Sequence, residues 1–264
     1  MPNNRKHSAQ KFRDAIARSN ELHKHYLDDP RAYRSYDRFT RWQFGYMLPF
    51  FDDLKGPPGY EEAIDFVVND LAGVGVSERD HDIERAAPVI VRTLPTHPLE
   101  TAAAAVELNA GALEINIAIW RGLLVDGELP EQITETDYCT VCREASSYED
   151  CMRLVNLANE LGATLKTLVR IPLIGGLLKS MRKPARAAGF GALQSFLEKG
   201  FVTFRQISDI DRFLEISHQR MDEIFDHIYH APLREDSDRT AGDSDPDSPI
   251  PSGDSDPNSG DPSK

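Results

Sequence analysis

Cys139 and Cys142 stand at CxxC spacing, with Cys151 close behind. Thiols so placed serve redox exchange when they sit at a helix N-terminus, where the helix dipole favours the thiolate. Here the pair follows Thr134 by more than a turn, inside a helical pattern and without a βαβ context, so structural thiols are expected. A zinc site would need about four ligands, with Cys151 and a distant histidine completing it. His97, Glu100, Glu107 and Glu114 form a second set, the glutamates recurring at heptad spacing along one helix face. Di-iron bundles draw a Glu-x-x-His from each of two helices, and no such pairing recurs here, so a solvated acidic stripe is expected. Asn109 and Asn116 fall on roughly the opposite side and read as hydrogen-bonded polar groups between helices. The sequence contains no GxSxG, no HExxH and no glycine-rich loop after a strand pattern. No catalytic residue, metal ligand or cofactor is therefore assigned.

The third set is cationic. Residues 162–197 contain no Asp or Glu, yet hold Lys166, Arg170, Lys179, Arg182, Lys183 and Arg186, in a chain of formal net charge −13. Lys179, Arg182 or Lys183, and Arg186 recur at three-, four- and seven-residue spacing, which puts them on one side of a helix regular up to Pro184. Leu173, Ile174, Leu177, Leu178 and Met181 supply an apolar stripe beside them. A basic amphipathic helix seeks a membrane surface, an acidic partner or an anionic ligand. Its plain alternative is a core-packing helix with an exposed basic flank. Gly175-Gly176 and Gly189-Phe190-Gly191 are ordinarily explained by close helix packing or a hinge, and a phosphate cradle is the narrower option, where a helix N-terminus meets these glycines beside Arg182 and Arg186. The candidate anion- or partner-binding residues are Lys179, Arg182, Lys183, Arg186 and Arg170.

The elements that must position these residues are helical, because no run shows the sustained alternation of a half-buried strand. Ser8 can cap a first helix reaching to about residue 28, before Pro30. Further helices are expected over residues 31–54, 60–71, 77–94, 98–125, 134–145, 147–170, 171–186 with a break at Pro184, 191–207 and 208–229. Residues 98–125 are apolar on nearly every side, the pattern of a buried central helix. The fold class is thus all-α, a multi-helix bundle with a long central helix.

Composition bounds the rest. From residue 231 to 264 the chain is almost entirely Asp, Ser, Pro, Gly and Thr, with Ile250 the only large apolar residue after Leu233, so a disordered acidic C-terminal tail is expected. An acidic surface disfavours phosphate backbones, whose binding depends on Lys and Arg displacing counterions. Nucleic acid is therefore an unlikely partner, and a protein partner or an anionic membrane surface is the expected one. The N-terminal residues lack the apolar stretch of a secretory signal, which with three cysteines gives a cytoplasmic expectation. The longest charge-free run near the cationic region, residues 171–178, is far shorter than the roughly 20 residues of a membrane span.

Several motifs carry a family likeness. Arg41-Trp42-Gln43, the helix over residues 63–73, Asp80-His81-Asp82, Ile133-Thr134-Glu135, Pro172-Leu173-Ile174-Gly175 and the run from Arg182-Lys183-Pro184 through Lys199-Gly200-Phe201 resemble bacterial proteins named after an FFLEELY motif. The likeness spans roughly residues 38–230. The name-giving motif is degenerate: residues 66–72 keep Phe66 and Leu71, with Asp70 in place of the second Glu and Ala72 in place of Tyr. What the resemblance implies is a shared helical domain without an active site to carry over. The expected organisation is an N-terminal helical extension over 1–37, the bundle over 38–230 and the tail over 231–264. The functional expectation is a helical interaction module with a basic, apolar face. A bundle enzyme or carrier with an internal ligand or metal pocket is the alternative.

Overall fold

The computed structural model describes residues 2–71 and 77–232. The expected tail lies, from residue 233 on, outside the described residues. Among those described the architecture is all-α, and the sole β feature is an isolated bridge between Val125 and Glu128. The helices are α1 (Pro2–Leu22), α2 (Pro30–Met47), α3 (Tyr60–Phe66), α4 (Ser77–Thr93), α5 (Thr96–Gly122), α6 (Glu135–Ala145), α7 (Tyr148–Val169), α8 (Pro172–Ala187), α9 (Gly191–Gln206) and α10 (Ile210–His230). A π-helical turn, His23–Leu27, follows α1, a 3-10 segment, Leu48–Lys55, follows α2, and a second π turn, Val67–Leu71, extends α3.

Local sequence accounts for most helix starts. Asp29, Thr134, Ser147 and Asp209 each accept a hydrogen bond from a backbone N–H in the first turn of α2, α6, α7 and α10. Pro30 begins α2 rather than merely stopping the helix before it, since a first-turn residue has no intrahelical N–H bond to lose. Ser8 does not cap α1. It lies buried inside that helix, where its hydroxyl donates to the Asn4 carbonyl at 2.9 Å, the back-bonding geometry open to a mid-helix serine. Pro184 does not break α8 either. It sits in the final turns, where one N–H is missing but the carbonyls of Pro184, Ala185 and Arg186 still accept bonds from residues 188–190.

Three apolar clusters hold the bundle. The largest joins α2, α5, α6 and α10 around Phe39, Ile117, Trp120, Tyr138, Ile224 and Ile228. A second joins α3 to the end of α7 and the α9–α10 junction through Tyr60, Ile64, Val169, Ile207 and Phe213. The third packs Phe12 and Ile16 of α1 against Val91, Leu99 and Ala103. The point between residues 37 and 38, taken as the end of an extension, falls inside α2, and α1 lies along α5. Glu107 and Glu114 do not form a free acidic stripe: Arg18 of α1 reaches them at 3.0 and 3.8 Å, and Asn4 bonds Glu100. By length and composition α5 would pass for a membrane-crossing helix, but it is the central helix here, packed by α1, α2, α6 and α7.

Candidate docking surface

The site is built on the hairpin of α8 and α9. Leading into it, α7 ends at buried Val169, the chain turns at Arg170 and extended Ile171, and α8 sets off at 91° to α7 with a proline in its first turn. On the inner side of α8, Gly175 lies under the Phe201 ring of α9. A Cβ there would come within 3.0 Å of the ring, so glycine sets the separation of the two helices. Buried Gln194 donates through Nε2 to the Leu178 carbonyl at 2.7 Å and to the Glu198 carboxylate at 2.8 Å. Arg182 Nε donates to both Glu198 oxygens, at 2.7 and 2.6 Å. These bonds, Arg182 foremost and Gln194 second, hold the Glu198 carboxyl down at about 2.

The far end of the hairpin is anchored by α4. Buried Asp82 accepts from the backbone N–H groups of Ala192 and Leu193, both at 3.0 Å, and so caps α9 from another helix. Arg85, one turn on, donates to the Gly189 carbonyl at 3.1 Å and lies 5.3 Å over the Phe190 ring. The N–H groups that a phosphate cradle would need at the start of α9 are thus occupied by a carboxylate of the protein itself. That leaves the narrower cradle option at the start of α9 without these two donors, whereas Gly175 under Phe201 fits the ordinary reading of close helix packing.

The outer side of α8 is of a different kind. Leu173, Leu177 and Met181, at four-residue spacing, are 81%, 58% and 43% exposed, whereas Ile174 and Leu178 turn inward. The apolar stripe read from the sequence is therefore two stripes, one spent on packing and one facing solvent. Lys179, Lys183 and Arg186 flank the outer stripe on its other edge, with the small residues Gly176 and Ser180 between. Of the six cations in the carboxylate-free segment, Lys166 pairs with Asp211 and Arg182 with Glu198. Among the described residues, Arg170, Lys179, Lys183 and Arg186 are all exposed and make no ion pair. The structure thus groups Lys179, Lys183 and Arg186 on one edge, sets Arg170 at the α7–α8 corner, and turns Arg182 toward α9.

Gln194, Glu198, Asp82 and Arg85 were not among the sequence candidates. One signal for the first two was available: if Gly189-Phe190-Gly191 forms a hairpin corner, Arg182 and Glu198 come opposite one another. Asp82 and Arg85 act across more than a hundred residues of chain, beyond any local pattern.

The thiols form no such site. Cys139, Cys142 and Cys151 are all buried and free, and burial pushes the Cys142 thiol up to about 12 and those of Cys139 and Cys151 upward. Thiols so placed stay protonated and unreactive near neutral pH. Cys151 lies 3.3 Å from the Tyr229 hydroxyl, which in turn meets Ser146 at 2.6 Å. Asn116 serves as expected between helices: its Oδ1 accepts from Gln43 Nε2 at 3.2 Å, and the same amide donates to Tyr138 at 3.0 Å.

No curated protein and no solved structure is significantly similar to this chain. One family model matches, over residues 22–234, leaving all of α1 but its last residue outside the matched segment. On that match, the chain belongs to the family described as Domain of unknown function (DUF8198).

Proposed function

We propose that the protein is a non-enzymatic docking module that presents the outer face of α8, basic along one edge and apolar along the other, to a partner. One observation carries this reading: Leu173, Leu177 and Met181 point into solvent at helical spacing beside Lys179 and Lys183, which have no carboxylate partner among the described residues, and Arg186, which makes no ion pair but whose charge also acts on Glu198. Single exposed apolar residues are ordinary on a protein surface, but a row of them on one helix face marks a contact site. Packing does not require the row, because Ile174, Leu178 and Gly175 already seat α8 on α9. Full burial of such a side chain stabilises by roughly 1.5–3 kcal/mol, so docking would recover most of that at Leu173 and about half of it at Leu177 and Met181. The anchoring by Glu198, Gln194, Asp82 and Arg85 also means that the face is presented pre-formed, at a small ordering cost.

Covalent footprinting tests the proposal. Lys179 and Lys183 should acylate readily in the purified protein and become protected in concentrated native extract of the producing cells, while exposed Lys11 reacts alike in both. Equal reactivity of Lys179 and Lys183 in the two settings would count against a docked face.

A further inference from the structure

We infer that the partner of this face is an anionic lipid surface, on which α8 lies flat with Leu173, Leu177 and Met181 dipped below the headgroups. This inference rests on the docking reading and names its partner. Three features favour lipid over protein. The first is chemical: the outer face offers alkyl chains, long-stemmed cations and almost no hydrogen-bonding groups. Its one hydroxyl, Ser180, already donates to the Leu177 carbonyl at 2.8 Å. Such a face encodes no specific polar partner, but it matches an interface where hydrocarbon lies beneath phosphate. The second feature is shape. Leu173 stands 81% exposed on a sixteen-residue helix, about 24 Å long, and the relief beside it is an open, shallow depression along Ile174, Gly176, Leu177 and Ser180, which suits a flat interface better than a deep protein anchor.

The third feature is electrostatic. In a chain of net charge −13, residues 162–197 carry no acid and so give α8 a local reversal of sign toward an anionic surface. Lys166 and Arg182 are matched by Asp211 and Glu198, which leaves Lys179, Lys183 and Arg186 along α8 and Arg170 at its start. These cations, beside the exposed Leu173, Leu177 and Met181, set α8 against the membrane. Long Lys and Arg stems can lie along the apolar boundary while their charges reach phosphate. Exposed Ile171, just before α8, adds a further apolar side chain near that end of the helix. Glu198 has a defined part in this arrangement: it holds Arg182 toward α9, away from the outer stripe.

The test is flotation of the full chain with vesicles of phosphatidylcholine alone or mixed with phosphatidylglycerol. Binding is expected on the mixed vesicles, weak on the neutral ones, and falling steeply with salt as the Debye length shortens. Lys179→Gln and Lys183→Gln should each weaken it about fivefold, the effect of one cation near such a surface. Leu177→Ser should weaken it about tenfold with no change in salt dependence. All three positions are exposed, so the fold survives and a melt verifies it. Equal binding by wild type and Leu177→Ser would overturn insertion of the apolar edge. Binding of polyglutamate through the same lysines, with no binding to anionic vesicles, would overturn the lipid assignment and leave docking standing. Binding to neither probe would remove both.

Discussion

Cys142 gives the protein a built-in sensitivity to alkali. Burial disfavours the thiolate and pushes the thiol from its ordinary 9.0 up to about 12 in the fold. Tyr36 behaves alike, raised from 10.0 to about 12 by burial. A group whose pKa is raised on folding leaves stability intact below its unfolded value and erodes it as pH climbs toward the folded one. Stability should therefore hold up to about pH 9 and decline between about 9 and 12, by roughly 1.4 kcal/mol per pH unit for each group that ionises only in the unfolded chain. Chemical melts across that range check the decline, and Cys142→Ala should make the curve shallower. On the acid side Glu198 is depressed from 4.5 to about 2 by Arg182 and Gln194, so its contribution is present above 4.5 and lost as pH falls toward 2. Glu198→Gln should consequently raise amide hydrogen exchange within α8 while leaving the global melt nearly unchanged, since the pair lies at the surface. At this scale the sequence disclosed which residues were cationic and acidic, but not their partners. Arg182 and Lys183 are adjacent and chemically alike, and only the position of α9 makes one a clasp and the other a free charge.

Helices were the most legible level, since their starts are written in short-range chemistry. Thr134, Ser147 and the 3.6-residue pattern locate α6, α7 and α5 without tertiary information. Ser8 and Pro184 misled for separate local reasons: a hydroxyl can bond back to its own helix, and a proline in the last turns costs a single hydrogen bond. Two substitutions probe how elements are joined. Gly59 precedes α3 with φ of +85°, and a Cβ there would sit 2.4 Å from the Gln206 carbonyl oxygen, so Gly59→Ala should cost roughly 1–3 kcal/mol or more in a denaturant melt. Ala103 is 4% exposed and packs beside Phe12 and Leu99, while Ala105 faces solvent on the same helix. Ala103→Leu should therefore lose roughly 1–3 kcal/mol by overpacking, and Ala105→Leu should stay within about 0.5 kcal/mol of wild type. Equal costs at the two positions would mean that α5 meets α1 along a different face.

For the whole molecule, the sign reversal within residues 162–197 was visible in the sequence, and the fold gives it a surface. What the sequence could not disclose is which half of the α8 apolar residues faces out. Leu173 and Ile174 differ by a single step along the chain, and the packing of Gly175 against Phe201 decides between them. The same packing turns Leu177 and Met181 outward with Leu173 and leaves the cations on the adjoining edge. A bundle with three apolar clusters and an anchored, outward-facing amphipathic helix is the frame on which the docking proposal rests. The most direct measurement is photo-cross-linking in the producing cells, with a photoreactive side chain placed at Leu177 and, as control, at Val125, which is 65% exposed on the loop after α5. The account predicts a discrete adduct to lipid or protein from position 177 and none from position 125. Adducts of equal yield from both positions, or none from position 177, would contradict it.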